Sequence, residues 1–366
     1  MSLMQDKNTP LYNEHARLKA LMAPFAGWNM PIHYGSIIEE AKHTRLKTSV
    51  FDICHMGEFF IRENPENSSL DRIITVPVVK MAVGKCRYGF LLNENGTVID
   101  DLIVYRLRED EWMIVVNASN EERDAITIAS KLSKTAKFEN RSFTTAKLDV
   151  QGPTSRAVME KLAGPGINSL KYFNFGRFDI YGGNYIISRT GYTGELGFEL
   201  YIDSTKAEKA WKDLLAMDGV KPAGLGSRDI LRLEAGLPLY GDEMTEETTP
   251  LEAGFERVLD FNKDFCGRDA LIAQKKKGLE KLLVGFTVDG RRTPRHLNKI
   301  LVEGREAGFV TSGVFSPHLN CGIGMGYIKR TNAAAASGEI EIALEKGSVK
   351  ARIEQLPFIK QTSIKN

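Results

Sequence analysis

The stretch "CRYGFLLNENGTVIDDLIVYRLREDEWMIVV", residues 86–116, constrains the fold more than any other part of the chain. Three apolar runs rich in β-branched and aromatic residues are separated by short polar breaks, and the Asn95-Gly96 pair in the first break favours a tight hairpin. Such runs pair as an antiparallel meander. Before them, "EFFIR" predicts a strand and "ENSSLDRII" a helical segment; after them, "NASNEERDAITIASKL" predicts a helix, with Ser119 and Glu122 at capping-box spacing. A strand, a helix, three strands and a helix predict a split βαβ, ferredoxin-like lobe on a mostly antiparallel sheet, and hence an α+β fold.

The flanks are β-rich with short helices. A helix is expected near "YNEHARLKALM", followed by the loop "PFAGWNMPIHYG", and strands resume at "KLDVQGP". In "NYIISRTGYTGELGFELYI" two strands enclose a turn holding Gly191, Gly194 and Gly197, which predicts Tyr192 at an exposed tip. "PAGLGSRDILRLEAGLPLYG" predicts a short helix ending near Gly236, with Arg228 and Arg232 on one face. From residue 282 onward, short strands separated by Gly, Pro and Asn turns predict a small β-barrel or sandwich. The expected division is residues 1–280, built from lobes of about 1–50 plus 140–280 and of 51–139, followed by a unit of 281–366.

Composition excludes more than it identifies. With 49 basic and 47 acidic residues among 366, the chain has no charge excess that would favour nucleic acid or a membrane surface as its main partner. No apolar run reaches the roughly 20 residues of a membrane helix, and no signal or transit pattern opens the sequence. Cys54, Cys86, Cys266 and Cys321 are scattered, without CxxC pairs or histidines at ligand spacing, which argues against zinc and against a disulfide framework. A reducing, cytoplasmic setting and no metal are the expectation.

Within "TVIDDLIVY", alternation puts Asp101, Ile103 and Tyr105 on one strand face and Asp100, Leu102 and Val104 on the other. Acids in an apolar strand need a basic partner, a ligand or backbone N–H donors, so a structural role and a ligand-binding role both stand for each. Tyr88, Asn117, Tyr192, Glu199 and Arg228 would, if they converge, suit a flat heteroaromatic ligand: tyrosines offer stacking faces, carboxylates accept from ring N–H groups and arginine supplies charge. "HMGE", with His55 and Glu58, reads as hydrogen-bonded structure, and "KKK" at 275–277 as a solvated face. "GLGSRD" lacks the third glycine of a dinucleotide fingerprint, and neither a phosphate loop nor a nucleophile elbow is present.

Ten segments in order make the chain resemble the T-protein family of the glycine cleavage system, the tetrahydrofolate-dependent aminomethyltransferases. They include "TPLYNEHARL", "FAGWNMPIHYGSIIEE", "VFDICHMGEFFI", "LLNENGTVIDDLIVYRL", "VVNASNEERD", "SRTGYTGELGFEL", "AGLGSRDILRLEAGLPLYG" and "EAGFVTSGVFSP". The resemblance implies a three-lobed cloverleaf of split βαβ lobe, β-rich folate-binding lobe and C-terminal β-barrel. It implies tetrahydrofolate as co-substrate and a lipoylated H-protein as partner, whose dihydrolipoyl arm carries the aminomethyl group; ammonia, methylene-tetrahydrofolate and the reduced arm are the products. Carried over position by position, it makes Asp101 the critical acid and places the folate contacts at Tyr88, Asn117, Tyr192, Glu199, Arg228, Met56 and Tyr240.

Four residues depart from the family pattern: Val76 and Pro77 in "TVPVVK", Ala41 in "EEAKHTR" and Leu196 in "GELGFE". The resemblance sets them near the pocket or a docking surface. The alternatives it leaves are a folate-dependent demethylase of a small methylated amine or sulfonium compound, and a folate-binding accessory protein without catalysis. The latter carry a KGC-type signature, which this chain lacks.

Overall fold

Alternation along Val98–Arg108 gives that strand two different faces, and the sheet it belongs to separates two cores. The computed structural model describes residues 6–333 and 338–365. Five strands lie in the order Cys86–Leu92, Val98–Arg108, Glu111–Val116, Gly57–Arg62 and Lys137–Asn140, with every pairing antiparallel. Glu111–Val116 and Lys137–Asn140 flank Gly57–Arg62 and run parallel to each other, joined across helix Glu121–Lys131, which is the split βαβ unit. Leu102, Val104, Ile114 and Val116 pack beneath the helices with Leu70, Ile73 and Ile128. The opposite face carries Ile103, Tyr105, Met113 and Val115 toward Phe175, Ile186 and Tyr201 of a second sheet.

That second sheet has six strands, with Gly197–Asp203, Thr145–Gln151 and Thr48–Asp52 adjacent at its centre. Ala146, Leu148 and Val150 point into a core with Met159, Trp211 and Leu214. The alternate residues Lys147, Asp149 and Gln151 must therefore face the first sheet, and all three are buried. Lys281–Val288 opens a closed six-stranded barrel, completed where Ser348–Glu354 pairs back onto that first strand, so a barrel and not a sandwich is formed. Beyond the barrel the chain returns to the second sheet, where Ser363 donates from its amide to Glu195 Oε2 at 2.9 Å.

Two local expectations fail. The first helix covers only Tyr12–Arg17: Lys19 adopts a left-handed φ of 57°, and Leu21–Phe25 is a strand. The capping box does not form either, because the helix starts at Glu121 behind Asn120, whose side-chain amide is committed to Asp100 at 2.7 Å.

Candidate functional site

Asp100 points at helix Glu121–Lys131 and is fully buried, whereas Asp101 points at the second sheet and is half-buried. Asp100 accepts from Asn117 N (3.0 Å), Asn117 Nδ2 (2.9 Å) and Asn120 Nδ2 (2.7 Å). The same Asn117 Nδ2 reaches Asp101 Oδ1 at 2.8 Å. The two acids thus face opposite ways yet are joined through one amide. Burial first, and then the Asp100 charge, push the Asp101 carboxyl up to about 7, where it is part ionised at neutral pH.

Tyr88 and Tyr192 both respond to the charge of Asp101, after burial, with raised hydroxyl pKa values. Tyr88 packs edge-on to Phe90 (5.2 Å) and tilted against Phe255 (5.3 Å). Tyr192 is not at an exposed tip: it is half-buried, and its hydroxyl donates to the Pro238 carbonyl at 2.6 Å. The Arg228 guanidinium stands 5.1 Å from the Tyr192 ring centre, within cation–π range. From behind, Arg45 Nη1 fixes the turn by donating to Thr193 O (2.7 Å) and Glu195 Oε1 (2.9 Å). A Cβ at 191 or 197 would lie 2.2 or 2.0 Å from the Gln151 amide, so a larger residue there would displace that amide from Asp149 and the Thr190 carbonyl.

Arg228 is ion-paired with buried Asp149, whose carboxyl burial raises to about 6 against the opposing pull of that arginine. Beside them, Lys147 Nζ is 3.1 Å from Glu199 Oε1 and 3.5 Å from Met56 Sδ. Burial pushes the Glu199 carboxyl up, but Lys147, Thr190 and Arg228 outweigh it and leave it below the ordinary value. Glu199 therefore arrives with Lys147 as its partner. Lys147 and Asp149 were not singled out from the sequence, although charges at alternate positions of the apolar "KLDVQ" carried the signal.

The structural expectation for "HMGE" also fails. His55 Nδ1 and both Glu58 carboxyl oxygens are buried without a hydrogen-bond partner among the described residues. Burial takes the His55 imidazole down to about 4 and the Glu58 carboxyl well up. Glu58 pairs with Val115 and Val115 with Ile103, so Glu58 shares its sheet face with Asp101. Tyr240 packs its ring in the cluster that holds Tyr88 and Phe90, and its hydroxyl accepts from Arg123 Nη2 at 3.1 Å. Ala41, Val76 and Leu196 are buried in hydrophobic cores and Pro77 is half-buried beside Val76, so at least the first three act on packing and do not line the site.

Asp101, Asn117, Tyr88, Tyr192 and Arg228 thus form one group, with Glu199 and Met56 a layer away through Asp149 and Lys147. Two surface cavities, of about 300 and 570 Å³, lie elsewhere, lined by residues such as Thr9, Trp28 and Phe143 or Lys161, Tyr181 and Asp213. Chemistry selects the Asp101 group, because a carboxyl poised near neutrality beside aromatic faces and a guanidinium can exchange protons with a flat nitrogenous ligand. Among the described residues no group of three or more His, Cys, Asp or Glu could hold a metal ion, and no helix is long and apolar enough to cross a membrane. All four cysteines are free thiols.

The family models for the GCVT N-terminal domain and for the glycine cleavage T-protein C-terminal barrel domain match residues 11–263 and 281–360. The chain is 42% identical over 357 residues to the aminomethyltransferase of Halothermothrix orenii, covering 96% of this chain and 100% of that protein. It is 42% identical over 358 residues to that of Thermosipho melanesiensis, covering 97% of each. The crystal structure of glycine cleavage system aminomethyltransferase T from Bartonella henselae superposes with a TM-score of 0.91 at 32% identity, over 97% of this chain and 99% of that one.

Proposed function

This chain belongs to the glycine cleavage T-protein family and is an aminomethyltransferase, and from that premise we propose that tetrahydrofolate binds between the Asp101 strand and the Tyr192 turn, receiving its carbon from a lipoylated H-protein. Tetrahydrofolate supplies the nucleophilic nitrogen that accepts the one-carbon unit. The residues present suit it: Tyr88 and Tyr192 offer faces for a flat ring, and Asn117 and the unpartnered oxygens of Glu58 offer polar edges. Arg228 and Glu199 complete the charge around them, with Met56 and Tyr240 as outer contacts.

Asp101 is the acid–base group in this proposal. As ionised carboxylate it takes the proton of the first folate nitrogen as that nitrogen bonds to the methylene carbon, and it gives that proton to the departing amine as ammonia leaves; closure onto the second folate nitrogen then breaks the carbon–sulfur bond, and the freed lipoyl sulfur takes the second nitrogen's proton as the dihydrolipoyl thiol. Its amide contact with Asn117 holds it in place, and the balanced charges of Arg228 and Asp149 keep the surroundings from drifting negative. The observation that carries the proposal is a carboxyl raised to about 7 on a strand face that also presents Tyr88. Residues 1–280, as lobes of about 1–50 plus 140–280 and of 51–139, form the transferase unit in this view, and 281–366 the barrel unit. Free thiols at all four cysteines suit a cytoplasmic location.

The test is ammonia release from aminomethyl-loaded H-protein with and without tetrahydrofolate, for the wild type and Arg228→Ala. Folate-dependent release, with weaker folate binding in the variant, is expected. Turnover of a small methyl donor in its place would support the demethylase alternative, and folate binding without turnover the accessory one.

A further inference from the structure

Asp124 sits in the first turn of helix Glu121–Lys131, is fully buried, and neither of its carboxyl oxygens accepts a hydrogen bond from a described residue. Arg123 Nε stands 4.0 Å from Asp124 Oδ1, beyond hydrogen-bond reach. The rest of that guanidinium is committed to the Ile99 carbonyl, the Tyr240 hydroxyl and Glu246. Asp124 donates its amide to the Asn120 carbonyl at 2.8 Å while Asn120 Nδ2 reaches Asp100 at 2.7 Å, so the two fully buried acids meet on the helix face of the sheet and their carboxyls interact. Two carboxylates in such contact cannot both be ionised, and one proton must lie between them. Asp100 already accepts from Asn117 N, Asn117 Nδ2 and Asn120 Nδ2, which favours its charged form, whereas no such donors reach Asp124.

We infer that Asp124 is a positioning residue for aminomethyl transfer: it carries the shared proton and donates it to Asp100, so that Asp100 stays a carboxylate that holds Asn117 and sets the proton affinity of Asp101. The electrostatics agree. Burial, and then Asp100, push Asp124 up to about 10, well above neutral pH. Asp100 is faced by Asn120 and Asp124 from the helix and by Asn117 from the strand end, and its charge acts on Tyr240; Asp101 is faced by Asn117, Tyr88 and Tyr192. No other cation contacts the three acids in this set beyond Arg123, among the described residues. The chain Asp124, Asp100, Asn117, Asp101 therefore runs from the helix to the site through one proton and one amide.

The inference rests on Asp101 being the acid–base group, so its test separates the two. Full-length wild type, Asp124→Asn and Asp124→Leu are assayed for the pH dependence of kcat with aminomethyl-loaded H-protein and tetrahydrofolate. Leucine takes away the donor that Asp124 supplies and leaves only the three amides; Asp100 then binds a proton more readily and repels charge on Asp101 less. The limb due to Asp101 is expected to move about one unit to lower pH, with kcat falling about tenfold. Asparagine, whose N–H replaces the lost O–H, is expected to rescue the profile. Independently of activity, the infrared difference between wild type and Asp124→Asn at about pH 8 should show loss of a protonated-carboxyl carbonyl band. Equal profiles for the leucine and asparagine variants, or absence of that band, overturn the inference; should the leucine variant not fold, the infrared comparison still decides. A band present in a wild type that shows no folate-dependent turnover would overturn the role of Asp101 and, with it, the link from Asp124 to catalysis.

Discussion

Lys147 Nζ lies 3.1 Å from Glu199 Oε1, and the two side chains are only 1% and 4% exposed. A pair so enclosed is held by mutual compensation, and removing Lys147 leaves Glu199 without its counter-ion, held only by hydroxyl donors in the gap between the sheets. Lys147→Met is expected to cost about 3–5 kcal/mol, while Lys147→Met with Glu199→Gln recovers most of it. Urea unfolding of the single and double variants measures the coupling, and additive effects would sink it.

Asp101→Asn should lower turnover by about 10²–10⁴-fold while the fold persists. It should also stabilise the protein at alkaline pH. The folded-state value of about 7 lies above the ordinary 3.8, so the Asp101 contribution is fully present below 3.8 and is lost as pH rises toward 7. A neutral amide escapes that loss, which predicts a gain on the order of 1–3 kcal/mol at about pH 8. Thermal melts at acid and alkaline pH check the sign, and turnover equal to wild type would remove Asp101 from the chemistry.

Asp100→Asn sets an amide against the three amide donors of Asn117 and Asn120, so one of its own atoms faces a donor it cannot accept from. The expected cost is about 1–3 kcal/mol, with a smaller loss of rate than for Asp101→Asn. Denaturant midpoints and kcat on the same preparations separate the two effects.

Asp52 predicts an acid transition. Its Oδ2 lies 2.8 Å from His15 Nε2 and accepts from Thr9 Oγ1 at 2.6 Å, and its Oδ1 accepts from Cys54 N at 2.9 Å. Burial raises this carboxyl, but the His15 hydrogen bond and charge, with Cys54 and Thr9, outweigh burial and leave it below 3.8. A depressed carboxyl gives stability that is complete above its unfolded value of 3.8 and fades as pH falls through the lower folded one. Asp52→Asn should therefore lose about 3–5 kcal/mol at neutral pH, and its deficit should shrink in acid; a deficit independent of pH would contradict the assignment.

Period-2 alternation and tight turns act locally, which is why the meander, the directions of Asp100 and Asp101 and the barrel strands were legible in the sequence. What failed depended on distant partners. Tyr192 looked exposed because nothing local shows that the Pro238 carbonyl covers it. Ser119 had capping chemistry, but the helix start went to Asn120, which answers to Asp100 on the helix face of the sheet. Lys147 and Asp149 sat in plain alternation, yet their meaning needed Glu199 and Arg228. Asp124 was not singled out, since a first-turn acid of a helix carries no signal of its own, and only its burial against Asp100 sets it apart.

The return of residues 359–364 to the second sheet orders events during protein synthesis. Arg45, Glu195 and Glu234 leave the ribosome early, and Arg45 can bind both glutamates at once. The Leu196 amide, however, receives its acceptor only from Ser363 Oγ at 2.9 Å, and the Glu234 carbonyl receives the Ile359 amide at 3.1 Å. Until that segment has been translated, the turn bearing Tyr192 lacks one of its anchors, so a nascent chain holds an immature turn and completes it only after the barrel is made.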